Sequence, residues 1–78
     1  MKLYAVTVNW NQYELTETCI ASLLQAGLKE RQLIVVDNGS SDDSPNRLKR
    51  RFGDAIIQIT NSENRGYVLA VNQGIEHA

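Results

Sequence analysis

The stretch Leu33-Ile34-Val35-Val36-Asp37-Asn38-Gly39-Ser40-Ser41-Asp42-Asp43-Ser44 decides the fold. Four consecutive apolar residues, three of them β-branched, read as a strand buried on both faces. The run stops in a carboxylate, an amide, a glycine and hydroxyls. In an open α/β sheet, ligands bind at the carboxyl ends of the strands. A polar cluster in that place is a candidate site, and its residue types suggest a nucleotide pocket.

Outward from this strand, the chain alternates. Leu3 to Val8 is an apolar, β-branched run that reads as a first strand, broken by Asn9-Trp10-Asn11-Gln12. A helix follows from about Glu14 to Ala26, with Leu15, Cys19, Ile20, Leu23 and Leu24 at helical spacing on one face. Gly27 is a natural C-cap, and the second strand then runs from Gln32 to Val36 or Asp37. A second helix starts near Ser44-Pro45, buries Leu48 and Phe52, and stops at Gly53. Ala55 to Thr60 is the third strand, Thr60 to Gly66 a polar loop, and a third helix runs from about Tyr67 onward. No linker, repeat or low-complexity tract interrupts this order. A β-α-β-α-β-α alternation predicts a three-layer α/β unit with a parallel sheet, strand order 3-2-1, and right-handed crossovers. One crossover helix is expected on each side of strands 1 and 2. The loops after the three strands then share one sheet edge, where they gather Asn9 and Asn11, Asp37 to Ser41, and Asn61 to Arg65.

The 78 residues make a single domain, spanning 1–78. A chain of this size buries roughly 60–65% of its unfolded surface. Its 42% apolar content is that of a globular chain. A net charge of −1 gives no general attraction to nucleic acid or to anionic membrane. No apolar run approaches the roughly 18 residues a membrane span needs. The N-terminal apolar stretch is too short for a signal peptide and lacks a small-residue cleavage site. The single Cys19 excludes an internal disulfide and a multi-cysteine zinc site. A cytoplasmic location fits, with membrane association through parts beyond this stretch.

Three segments together resemble the N-terminal part of the inverting family-2 glycosyltransferases with the GT-A fold. They are Val8-Asn9-Trp10-Asn11, Ile34-Val35-Val36-Asp37-Asn38-Gly39-Ser40-Ser41-Asp42, and Glu63-Asn64-Arg65-Gly66-Tyr67, the last continuing into Ala70-Val71-Asn72-Gln73-Gly74-Ile75. The resemblance covers essentially the whole chain. Trp-Asn, Val-Asp-Asn-Gly-Ser and Asn-x-Gly-Tyr are most similar to the rhamnosyltransferase-type branch. The resemblance implies the nucleotide-binding half of a GT-A fold, holding a UDP- or dTDP-sugar for transfer to a saccharide or lipid-linked acceptor, as in cell-wall or polysaccharide biosynthesis. It implies that Asp37 and Asn38 contact the nucleoside, with support from Val8 and Asn9. Many members carry two adjacent acids where this chain has Asp37-Asn38; an amide still accepts from a ring N–H and donates to a carbonyl. The family's Asp-x-Asp metal motif and catalytic carboxylate lie downstream of the matched part. The chain therefore reads as a truncated nucleotide-sugar-binding domain, with no catalytic residue and no metal ligand of its own. A divalent cation (Mg or Mn) is expected only in the full-length enzyme. The fragment is expected to be inactive alone and to self-associate through the open edge of strand 1.

Each of these residues also has a plainer reading. Asp37 could simply hydrogen-bond the loop after its strand, and Asn38-Gly39-Ser40 could be turn chemistry. Its loss by Asp37→Ala is expected to weaken nucleotide binding and leave the core packed. Arg65 could meet a diphosphate at the third helix's N-terminus or be a solvated loop arginine. Trp10 either walls the pocket or packs under the loops. By resemblance, Asn72 is a buried structural amide. The run Arg47, Lys49, Arg50, Arg51 reads as cations at a helix C-terminus rather than a nucleic-acid patch. Cys19 reads as core, and His77 has no assigned role. A stand-alone nucleotide- or anion-binding module without catalysis is the alternative function. A dinucleotide-binding domain is disfavoured, because Asn-Trp-Asn stands where its glycine fingerprint would follow strand 1.

Overall fold

The computed structural model describes residues 4–29 and 32–78. The element order is β1 (Ala5–Asn9), α1 (Tyr13–Gln25), β2 (Leu33–Asn38), α2 (Ser44–Phe52), a 3₁₀ turn (Gly53–Ala55), β3 (Ile57–Asn61) and α3 (Tyr67–His77). Leu3, expected to open the first strand, lies outside the described residues. The third strand starts later than expected because Gly53–Ala55 closes a 3₁₀ turn.

All six residues of β2 are buried, as the apolar run demanded of a central strand. It pairs in parallel with β1 on one side and β3 on the other, giving the order β1-β2-β3. Strand alternation divides the residues of β2 between two cores. Leu33 and Val35 join Ile20 of α1, Leu48 of α2 and Ile56. Ile34 and Val36 join Ala70 of α3, with Val6, Val8, Ile57 and Ile59 packed around them. The result is a three-layer α/β Rossmann-like unit.

Two expectations are corrected. Both crossover helices, α1 and α2, cover the same face of the sheet, and α3 covers the other. Successive right-handed crossovers that step in one direction across a sheet must land on one face. The buried stripe of α1 is also rotated from the expected one. Thr16 and Ile20 are buried, flanked by Tyr13, Leu23 and Leu24, while Leu15 is 71% exposed and Cys19 is exposed. The helix turns the polar Thr16 inward because Asn9 needs a partner there.

Helix α3 approaches β1 at Gly74, where a β-carbon would overlap the side chain of Val6. Alanine is the better helix former by about 1 kcal/mol. Overpacking against a β-branched strand residue costs about 1–3 kcal/mol and is expected to win. Gly74→Ala should therefore lower stability in denaturant unfolding, and adding Val6→Ala should recover part of the loss. A Gly74→Ala variant more stable than the parent would contradict this packing.

Candidate functional site

Because β2 stays extended through Asn38, Asp37 and Asn38 point to opposite faces of the sheet. Each is buried, and each must find partners within the protein.

On the α1 side, Asp37 stands beside Asn9 in the strand register. Its Oδ1 accepts from Asn9 Nδ2 at 2.8 Å and from the Ser40 hydroxyl at 2.7 Å, and its Oδ2 accepts from the Ser40 amide at 2.9 Å. Thr16 donates its hydroxyl to Asn9 Oδ1 at 2.6 Å. Asn11, with a φ of 50°, ties the first loop to the second. Its amide donates to Ser40 Oγ at 3.0 Å, and its Oδ1 accepts the amides of Ser41 and Asp42 at 2.8 and 3.1 Å.

On the α3 side, Asn38 stands beside Asn61. Its Nδ2 donates to Asn64 Oδ1 at 2.9 Å and to the Gly66 carbonyl at 3.3 Å. Its Oδ1 accepts the Arg65 amide at 2.9 Å and Asn61 Nδ2 at 3.3 Å. Asn61 and Gln73 exchange a pair of amide bonds of 2.7 and 2.8 Å. Gln73, on the inner side of α3, thus fills the role expected of Asn72, which is exposed; one residue along a helix moves a side chain by about 100°. Gly39, at a φ of 79°, lies so close to the backbone of Glu63 and Asn64 that a β-carbon there would overlap it. Glycine is required at that point by both space and backbone angle.

Above the second network lies an open pocket of about 180 Å³ lined by Val8, Trp10, Gln12, Asn38, Asn64 and Tyr67. Of the residues given a nucleotide-binding role in the sequence, Val8 and Asn38 line it. Asn9 and Asp37 lie on the other face, 0% and 3% exposed, with their polar atoms engaged internally. Arg65 lies on the exposed loop next to Asn64. Trp10, half exposed, takes the pocket-wall reading. Gln12 and Tyr67 were not legible as site residues. The signals for Tyr67 are its place at the start of a helix that faces the sheet's carboxyl edge and its position in the Asn-x-Gly-Tyr segment.

The model of glycosyl transferase family 2 matches residues 4–78. The chain belongs to this family. Among curated family relatives, the poly-β-1,6-N-acetyl-D-glucosamine synthases of Staphylococcus aureus strains COL and MRSA252 are each 30% identical over 70 residues. The protein of that name from strain MSSA476 is 29% identical over 70 residues. Each alignment covers 88% of this chain and 17% of the relative, so the chain spans about a sixth of their length. No solved structure matches significantly.

The three parallel strands with their three helices are consistent with the nucleotide-binding half of a GT-A fold. Family enzymes commonly use a divalent cation, and the described residues do not fit one. Among them, no three His, Cys, Asp or Glu side chains converge. The carboxylate of Asp42 takes the hydroxyl and amide of Ser44, which hold its pKa below the ordinary value. That of Asp43 takes Asn46 and Arg50, with the same effect.

The burial of Asp37 changes what its removal should do. Asp37→Ala leaves the Ser40 amide and the Asn9 side chain short of an acceptor in a buried site. A loss of about 1–3 kcal/mol is expected in denaturant unfolding, before any ligand is added. An unchanged unfolding midpoint would show that this network does not hold the loop.

Proposed function

We propose that this chain is the donor-binding part of a glycosyltransferase, and that its pocket receives the nucleoside of a UDP- or dTDP-sugar. The observation that carries the reading is the pocket's composition. Trp10 and Tyr67 offer aromatic surface, Gln12, Asn38 and Asn64 are neutral amides, and the site opens at the carboxyl ends of parallel strands. A flat, uncharged ring with a hydrogen-bonding edge suits such walls. Arg65, on the loop before α3, is the cation we assign to the diphosphate. Asn9 and Asp37 support the ligand indirectly, by holding the loops on which Trp10 and Gln12 sit.

The name of the relatives supports a polysaccharide-building role for the whole enzyme; the acceptor we propose is a saccharide or a lipid-linked one. In this reading the 78 residues bind donor but do not transfer sugar alone, the family's catalytic carboxylate being expected downstream of the matched part. We also propose that the isolated chain self-associates along β1, which pairs with β2 on one side only among the described residues. Light scattering across a concentration series should show growing mass, and a constant monomer mass would end that proposal.

Calorimetry with uridine and thymidine diphosphates tests the pocket. Stacking of a base on an aromatic side chain contributes about 1–3 kcal/mol. Trp10→Ala should therefore weaken binding by about 5- to 150-fold, while Lys49→Ala, on α2, should leave it unchanged. Equal affinity in Trp10→Ala and the parent would refute the pocket assignment.

A further inference from the structure

We infer that the open side of β1 is shaped for a second copy of this chain, paired antiparallel through β1 around a two-fold axis at Thr7. The register, the contact surfaces and the end point of that pair rest on the association along β1 proposed above.

The free groups of β1 follow from its pairing. The Ala5 amide donates to the Gln32 carbonyl at 2.9 Å, so Ala5 faces the central strand. Successive residues of a strand turn their N–H and C=O to alternate sides. Thr7 and Asn9 therefore face β2 as well, and Val6 and Val8 carry their backbone groups to the open edge. Two antiparallel copies use all of these groups when Val6 stands opposite Val8 of the second copy. Each such couple exchanges two hydrogen bonds. Thr7 then meets Thr7 of the second copy on the axis, as a pair of the closer, non-hydrogen-bonded kind, where threonines pair favourably.

Both helical layers present an uncharged flank beside this edge. On the α1 face, Cys19 Sγ lies 4.0 Å from Thr7 Oγ1. Thr16 and Ile20 point inward, so steps of about 100° per residue put Leu15, Cys19 and Ser22 on one exposed stripe beside β1. On the other face, Gln73 reaches Asn61 of β3, and Gly74 meets Val6 of β1. The same rotation carries Val71, Ile75 and Val68 past β1 to its open side, the last two 59% and 70% exposed. A two-fold axis sets each stripe against its own copy, so like charges there would oppose the pairing. Neither stripe nor β1 carries a charged residue. Edge strands are ordinarily kept apart by charge, proline or bulges, and β1 has no proline and an unbroken register. The opposite edge is guarded. Lys49 of α2 lines the hollow beside Gln58 and Thr60 of β3, and a two-fold pair there would bring lysines together. Pairing through β1 consumes both open edges, so assembly stops at two copies, with the two pockets at opposite ends of the joined sheet.

Light scattering gives the mass, and cross-linking of Cys19, the chain's single cysteine, by a short bismaleimide reads the geometry. The parent's mass should rise with concentration and level at two copies, with Cys19 joined to Cys19 of the second copy. Thr7→Lys puts two ammonium groups on the axis and should weaken association at least about tenfold, and the cross-link with it. Ile75→Lys, at a site exposed in the folded chain, should do the same and decides the matter if Thr7→Lys does not fold. Lys49→Ala, on the far side of the sheet, should pair as the parent does. Mass growing beyond two copies, or association without the Cys19 cross-link, would overturn the two-fold pair and leave self-association itself standing. Parent-like association of Ile75→Lys would overturn the pair in the same way. A monomer at every concentration would overturn both.

Discussion

The structure turns on one constraint. The central strand β2 is buried through its last residue, and its last two residues are polar. A buried carboxylate and a buried amide each need partners, or each costs about 1–3 kcal/mol. Strand alternation sends them to opposite faces, so the need must be met twice, by separate sets of residues. Asn9, Thr16 and Ser40 meet it for Asp37, and Asn61, Asn64 and the loop backbone meet it for Asn38. No buried side-chain nitrogen or oxygen among the described residues is left unpaired.

Those two sets tie down the loops. The loops after β1 and β2 are joined through Asn11 and Ser40, and the loop after β3 is joined to β2 through Asn38. The pocket is the space these anchored loops leave between Trp10 and Tyr67. Its shape therefore follows from hydrogen bonding beneath it. The same logic separates two kinds of residue in the site. Those deepest in the polar cluster hold the loops, and those on the rim present aromatic and amide groups to solvent.

The central strand, the parallel order and the meeting of three loops were all legible in the sequence. A β-branched run ending in polar residues, repeated with helices between, leaves few other architectures. Site residues were legible less well. With the strand ending at Val36 or Asp37, Asp37 and Asn38 read as a pair facing one ligand. The strand's continuation through Asn38 places them on opposite sides. The inward turn of Thr16 and the exposure of Cys19 and Leu15 go with the bond from the Thr16 hydroxyl to Asn9 at the end of β1. Hydrophobic periodicity carries no such information. Gln73 and Asn72 differ by one step on α3, and only the position of Asn61 decides which amide is used.

The most direct test of this account is a nuclear magnetic resonance titration of the ¹⁵N-labelled chain with uridine diphosphate. The account predicts saturable shifts at Val8, Trp10, Gln12, Asn38 and the segment 64–67. The Trp10 indole should move strongly, and the second surface hollow at Pro45, Lys49 and Thr60 should stay silent. Shifts centred on that hollow, or no saturable shift at the pocket, would contradict it.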